Sequence, residues 1–184
     1  MSNLTDFFPS GGGGGLTPKF QEFNSSGTFT PTQALIDAGG YIEVFLVGGG
    51  GGASVSYEGG AGGETILTKM YLTNTTGCSV TIGAGGAAAN GGSSIFAGNS
   101  AGGVSVTSLG GQLNGEQSNK MGAGYSAFSN SVGSPGNGIL GYGSGSSIGN
   151  NTKGGITTAK TNSGQGGRNT VTGGSGYCLI KWYE

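Results

Sequence analysis

Glycine supplies 46 of the 184 residues, and it comes in short tracts that separate short apolar segments. Collagen is excluded, because Gly does not recur at every third residue and the chain holds only four prolines. Such a composition is otherwise typical of flexible chains, but the regular apolar segments are not typical of a linker. Since ordering each backbone residue costs roughly 1–2 kcal/mol of entropy, something other than side-chain burial must hold the glycines.

The apolar segments predict β-strands. Residues 41–47 are β-branched and aromatic and are bounded by glycines, which is the pattern of a strand. Residues 32–38 predict at most one or two helical turns, and no other segment shows convincing helical periodicity. The other predicted strands are 27–31, 65–72, 78–82, 104–108 and 177–183.

The glycine tracts between these strands predict a second kind of structure. An extended glycine segment in the polyproline II conformation has three residues per turn and no internal hydrogen bonds. Its N–H and C=O groups must therefore pair with neighbouring segments. The predicted fold class is all-β, with short antiparallel strands combined with a packed array of polyglycine II helices.

Residues 1–26 differ from the rest and predict an N-terminal docking arm with a glycine hinge at 11–15, ahead of a glycine-rich domain at 27–184. Half of the eight Phe residues lie here. A short apolar peptide on a hinge favours docking on a partner protein. The alternative is an arm folded back on its own domain. The candidate docking residues are Phe7, Phe8, Pro9, Leu16 and Phe20.

The order of strands and glycine motifs resembles a known family. The motifs are 47–52, 59–63 and 80–86, and the chain closes on a glycine motif at 173–176 followed by a strand. Over roughly residues 27–184, this order resembles the glycine-rich domain of bacteriophage tail-fibre proteins, and it is similar to the fibre-tip adhesins of T-even-like phages. The resemblance implies a sandwich of polyglycine II helices whose distal loops contact a bacterial surface receptor.

Aromatic and aliphatic residues in glycine-flanked loops are the candidate receptor contacts. Such side chains on rigidly held loops are good anchors, because they offer large contact area with little entropy loss. The alternative is that they fill gaps between glycine helices and a neighbouring subunit. The candidates are Tyr125, Phe128, Ile139, Leu140 and Tyr142.

Composition argues against several functions. Without histidine, the chain cannot form a Ser-His-Asp triad, a Cys-His pair or a His-ligated metal site. Seven scattered cations make no patch for nucleic acid. No apolar run is long enough to insert in a membrane, and the N-terminus lacks the pattern of a signal peptide. Residues 83–88 fit a dinucleotide-binding fingerprint but lack its helix, so we expect no cofactor.

Cysteines and carboxylates offer little further chemistry. Cys78 and Cys178 lie on apolar strand faces, so we expect buried free thiols, with a disulfide as the alternative. Glu58 and Glu64 flank one glycine tract and could form a paired-carboxylate site for glycan hydrolysis. Solvated charges are the favoured interpretation, so we expect no catalytic residue, no metal site and no enzyme.

These observations lead to two functional hypotheses. The first is a fibre-tip adhesin of a bacteriophage virion, assembled in the host cytoplasm. It would dock on other virion proteins through the arm and bind a host surface protein or glycan. The second is a structural capsid or tail decoration or fibre subunit without receptor binding. A homotrimer is one expected assembly, as is a monomeric tip.

Overall fold

The fold is all-β and consists of two antiparallel four-stranded sheets packed face to face. The computed structural model describes residues 15–54, 60–100, 102–103, 105–113, 162, 164, 166–167 and 172–184. In chain order the elements are β1 (Pro18–Phe23), β2 (Gly27–Phe29), α1 (Gln33–Asp37), β3 (Tyr41–Val47), β4 (Thr65–Tyr71), β5 (Cys78–Thr81), β6 (Ser94–Ala97), β7 (Val106–Ser108) and β8 (Tyr177–Tyr183).

The first sheet has the strand order β1-β8-β3-β4, and the second has the order β2-β5-β6-β7. Strand β3 lies between β8 and β4, with Val44 opposite Ile180 on one side and Thr68 on the other. Since neighbouring residues of a strand point to opposite faces, these registers place Ile42, Val44 and Leu46 together on the inner face.

The core fills the space between the two inner faces. The second sheet contributes Phe29 and Phe96, whose ring centroids lie 6.5 Å apart. Trp182 of the first sheet packs edge-on against Phe29, with centroids 5.2 Å apart. Leu35 of α1 is buried in the same cluster, and the Thr32 side chain caps the helix by accepting a hydrogen bond from the Leu35 N–H at 3.0 Å. This one-turn helix closes one end of the sandwich.

The strands give the sandwich two distinct ends. Strands β3, β5 and β7 run towards the end at which β4, β6 and β8 begin. We call this the lattice end, because glycine tracts continue from it. The opposite end holds α1 and the start of β1, where Thr17 and Glu184 exchange two backbone hydrogen bonds. We call it the arm end, because the described chain enters there at Gly15.

The structure confirms the all-β prediction and most strands to within two residues. Residues 41–47 and 177–183 are strands over the predicted ranges, and the predicted helical turn is α1. Two strands, β1 and β6, were not predicted. Strand β1 lies within the segment predicted as a docking arm, and the structure pairs it with β8. Its side chains are exposed except for Phe23, so it lacks the half-buried alternation that marks a strand in sequence.

Candidate functional site

Seven glycine-rich tracts pack together beyond the lattice end. Six of them continue strands: one follows each of β3, β5 and β7, and one precedes each of β4, β6 and β8. We call the whole set the glycine lattice. Its tracts are residues 48–52, 60–64, 83–86, 89–92, 109–112, 164–167 and 172–176, of which residue 165 lies outside the described part.

The tract at 48–52 lies at the centre of the lattice. Its five successive N–H groups donate to Glu64, Gly92, Gly174, Ala61 and Ala89 in turn, at 2.8–2.9 Å. The acceptors therefore alternate among three neighbouring tracts with a period of three. A backbone with three residues per turn gives this pattern. The polyglycine II conformation itself stays a prediction.

The central tract has six neighbours. Three accept its N–H groups, and three others donate to its carbonyl groups: Gly111 to Gly49, Gly86 to Gly50 and Gly167 to Gly51, each at 2.8 Å. The outer tracts also bond to one another in a closed ring. The order of the ring is 60–64, 109–112, 89–92, 83–86, 172–176, 164–167 and back to 60–64.

Close approach of backbones explains why the central tract contains only glycine. A Cβ atom added at Gly49 would lie 2.7 Å from the carbonyl carbon of Ala84 and 3.0 Å from the carbonyl oxygen of Gly83. Both are backbone atoms that cannot rotate away. The outer tracts have a free side and accordingly carry larger residues, among them Ala84 and Leu109. The pattern of glycines thus follows the position of each tract in the lattice.

Two buried serines join the lattice to the sandwich, and the sequence analysis did not identify them. Ser94 and Ser108 are cross-strand partners on β6 and β7. The Ser94 hydroxyl donates to the Val47 carbonyl oxygen at 2.6 Å and accepts the Gly83 N–H at 2.9 Å. The Ser108 hydroxyl donates to the Glu64 carbonyl oxygen at 2.5 Å. Their inward position on otherwise apolar strand faces is the signal that would have found them.

The candidate binding site is the far end of the lattice, because three segments leave the described structure there. The chain re-enters at Asn162 at the base of the lattice, beside the sandwich, where the Asn162 N–H donates to the Ser175 hydroxyl at 2.9 Å. At the far end it departs at Ser54, Leu113 and Gly167 and re-enters at Gly60 and Thr172. These points are neighbours: the Gly60 N–H donates to Gly167 at 2.7 Å, and the Ala61 N–H donates to Gln112 at 2.9 Å. A fourth connection at this end, residues 87–89, is described and exposed.

The predicted receptor contacts belong to the longest of these segments. Residues 114–161 hold all five candidates, and they lie outside the described residues. The structure therefore describes the two residues that flank this segment, Leu113 and Asn162. The candidates are Tyr125, Phe128, Ile139, Leu140 and Tyr142.

The predicted docking residues belong to the opposite end. Phe7, Phe8 and Pro9 lie outside the described residues, which begin at Gly15. Leu16 and Phe20 are described, and both side chains are exposed. From Thr172 at the tip of the lattice to Tyr183 at the arm end there are twelve residues of extended chain. At about 3.2 Å per residue the two ends lie roughly 35–40 Å apart.

The titratable groups of the described residues form few contacts that could support chemistry. No group of three His, Cys, Asp or Glu side chains in this part of the chain could hold a metal ion. The Glu64 carboxylate accepts the Leu109 N–H at 2.8 Å and so holds two tracts together. Glu58 lies outside the described residues. Cys78 and Cys178 are free and buried, and burial raises the pKa of the Cys178 thiol to about 12.

Comparisons with known proteins give one family. The family model described as a glycine-rich domain matches residues 24–183. No curated protein matches the chain. Within the described residues, no helix is both long and apolar enough to span a membrane.

Proposed function

Because the chain belongs to the glycine-rich domain family, we propose that it is a non-catalytic binding protein at the tip of a bacteriophage tail fibre. Its N-terminal segment attaches to other virion proteins, and the segments at the far end of the lattice bind a protein or glycan on the host cell surface. The proposal places the protein in the virion after assembly in the host cytoplasm.

The observation that carries the proposal is the separation of the two chain exits. The N-terminal segment enters at the arm end, whereas the segments 55–59 and 168–171 begin and end at the tip of the lattice, and the segment 114–161 leaves from the tip at Leu113 and returns at the base at Asn162. An adhesin needs this polarity, because one end must be held by the fibre while the other faces the cell. A subunit enclosed within the shaft of a fibre would not need one end that is free to contact a cell.

The lattice also supplies a rigid base for binding loops. The residues beside the three segments are fixed by backbone hydrogen bonds between tracts, such as Gly60 to Gly167. Holding the ends of a loop lowers the entropy that the loop loses on binding a ligand. The lattice does this without side chains, so the sequence between the fixed ends is free to specify a receptor.

Within this proposal, Tyr125 and Tyr142 are the anchors of the receptor contact. Both occur in segments flanked by glycine, together with Phe128, Ile139 and Leu140. Tyrosine combines a large contact area with few rotatable bonds and a hydroxyl that can bond to a protein or a glycan.

The test is binding of the fluorescently labelled full chain to a panel of bacterial strains. We expect saturable binding to some strains, lost in the Tyr125→Ala/Tyr142→Ala double variant. Removal of residues 1–14 serves as the control, and it should leave cell binding intact while preventing incorporation into virions. Unchanged binding of the double variant would overturn the proposed site. No binding to any strain, the host of the virus included, would overturn the adhesin.

A structural fibre or decoration subunit is the second candidate, and the exposed apolar face of the first sheet favours it. Phe20 and Leu67 on that face are 70% and 69% exposed. A subunit that only assembles needs such a surface and needs no receptor. Under this alternative, substitutions on the face prevent incorporation into virions, whereas replacement of residues 114–161 has no effect on host binding.

A further inference from the structure

The outer faces of the two sheets differ sharply in character. The outer face of the second sheet is mostly polar, as expected of an antiparallel sheet in contact with water: it carries Thr28, Ser79, Thr81 and Thr107, with Ile95 and Ala97 on β6. The outer face of the first sheet carries mostly aromatic and aliphatic side chains and two pairs of opposite charges. These residues are Phe20, Tyr41, Phe45, Leu67, Tyr71, Leu179 and Tyr183, with Glu22, Glu43, Lys69 and Lys181. An apolar face of this extent marks an interaction surface.

The strand registers arrange this face in rows. Leu179, Phe45 and Leu67 lie side by side across β8, β3 and β4 and form an apolar row. The next row towards the arm end is charged, because Glu43 lies between Lys181 and Lys69.

A third row of tyrosines follows at the arm end, at positions 183, 41 and 71. Between the first two rows there is a shallow depression of about 280 Å³, lined by Glu43, Phe45, Leu67, Leu179 and Lys181.

We propose that this face binds a second copy of the same chain, with the two-fold axis parallel to the strands between β8 and β3. Rotation about that axis places β8 of one copy opposite β3 of the other, and each row faces the same row of the second copy. Lys181 then faces Glu43 of the second copy, and Leu179 faces Phe45 of the second copy, each contact occurring twice as two-fold symmetry requires. Phe20 on β1 faces Lys69 of the second copy, which is a cation–π arrangement.

The charges select this axis over the alternative. A two-fold axis perpendicular to the strands, through the charged row, would place each strand opposite the same strand of the second copy. Lys181 would then face Lys181, and Glu43 would face Glu43. Like charges brought together at the centre of an interface oppose association. The preferred axis instead pairs opposite charges at the centre. The apolar and tyrosine rows flank them, with Glu22 at the edge of the apolar row, beside Leu179 and opposite Leu67 of the second copy.

The size of the face sets the expected strength. Four strands about 4.8 Å apart, each presenting about six residues at about 3.4 Å, give a footprint of roughly 19 by 20 Å. Standard interfaces bury roughly 800 Å² of accessible surface per partner, so a footprint of roughly 400 Å² is that of a weak, transient association. We expect a dimer that dissociates on dilution. Since the axis keeps strand direction, both lattice tips point the same way. This inference does not depend on the proposed function.

The test is sedimentation of the full chain over a concentration series. We expect a monomer–dimer equilibrium for the wild type. The variants Lys181→Glu and Glu43→Lys should each sediment as monomers, because each places like charges opposite one another. An equimolar mixture of the two variants should form a heterodimer, because residue 43 of one then faces the opposite charge at residue 181 of the other. Recovery of association on mixing identifies the pairing and shows that both variants are folded.

Leu67→Glu is the second variant, since its exposed position should leave the fold intact while a charge in the apolar row prevents association. Thr107→Glu is the control, because Thr107 is exposed on the outer face of the second sheet, and it should dimerise as the wild type does. A monomer at every concentration, or charge variants that associate normally, would overturn the proposal. So would a mixture of the two that stays monomeric. The cell-binding assay above reports independently on the adhesin.

Discussion

Replacing Gly49 by alanine tests whether the backbone contacts of the central tract hold the lattice together. The added Cβ would lie 2.7 Å from the carbonyl carbon of Ala84, closer than real Cβ atoms approach such a neighbour. Relief requires the central tract to move away from the tract at 83–86. The same movement lengthens the bonds from Gly86 to Gly50 at 2.8 Å and from Gly49 to Gly92 at 2.9 Å.

The cost follows from three contributions. Overpacking by one methyl group costs about 1–3 kcal/mol. Weakening two buried hydrogen bonds adds about 1–2 kcal/mol. The lower entropy of the unfolded alanine chain returns about 0.4–1 kcal/mol. We therefore expect a loss of about 3 kcal/mol in the free energy of unfolding, which lowers the Tm by about 6–12 °C in a domain of this size.

The assay is thermal and urea unfolding followed by circular dichroism. Gly27→Ala is the control, because Gly27 lies on an exposed strand and a Cβ there would meet only the Phe23 ring, at 3.4 Å. We expect it to unfold within about 0.5 kcal/mol of the wild type. If Gly49→Ala unfolded like the wild type, or if both variants lost equal stability, the contact argument would be wrong.

Three further predictions concern single side chains. Ser94→Ala should lower the free energy of unfolding, measured with urea, by about 2–3 kcal/mol, because it leaves a buried carbonyl and a buried N–H without their hydroxyl partner. A loss below about 1 kcal/mol would contradict this role. Because burial raises the pKa of Cys178 to about 12 and also raises that of Cys78, we expect slow labelling of both thiols by a disulfide reagent at pH 8 and rapid labelling in denaturant; fast native labelling would disagree. Burial, and then a hydrogen bond with Glu22, raises the pKa of Tyr177 to about 12 from 10, so its contribution to stability is present below pH 10 and is lost as the pH rises through 12. Phenolate absorbance should show one fewer tyrosine titrating near pH 12 in Tyr177→Phe, and an unchanged titration would refute the assignment.

How much could be predicted from sequence differs between strands and lattice. Strand β3 was predicted at its observed limits, because a run of β-branched and aromatic residues between glycines is an unambiguous pattern. Strand β6 is short, and its inward Ser94 interrupts the apolar alternation. Strand β1 is at an edge and largely exposed, so its pairing with β8 depends on backbone bonds that leave little trace in side chains.

The sequence predicted that the glycine tracts pair with one another, but it did not predict which tracts are neighbours. Glycine content alone requires that backbone groups pair between segments. Which tract lies at the centre depends on the sheet registers, because these determine where each tract begins. One local signal was available: the run at 48–52 contains no residue other than glycine, whereas every other tract includes a larger side chain. The receptor contacts could be assigned only to a segment, since no periodicity marks them.

The parallel arrangement of strands and glycine tracts has a mechanical consequence. A pull applied between Gly15 at the arm end and Leu113 at the lattice tip acts along the strands and along the tracts that continue them. The hydrogen bonds between β1 and β8, and those between the central tract and its six neighbours, are then sheared together rather than opened one after another. Bonds loaded in parallel share the force, so rupture requires many to fail at once. The same molecule pulled across the sheets would open bond by bond at low force. Under the proposed function, in which one end is held by the fibre and the other is attached to a moving cell, the fold is strongest in the direction of the load.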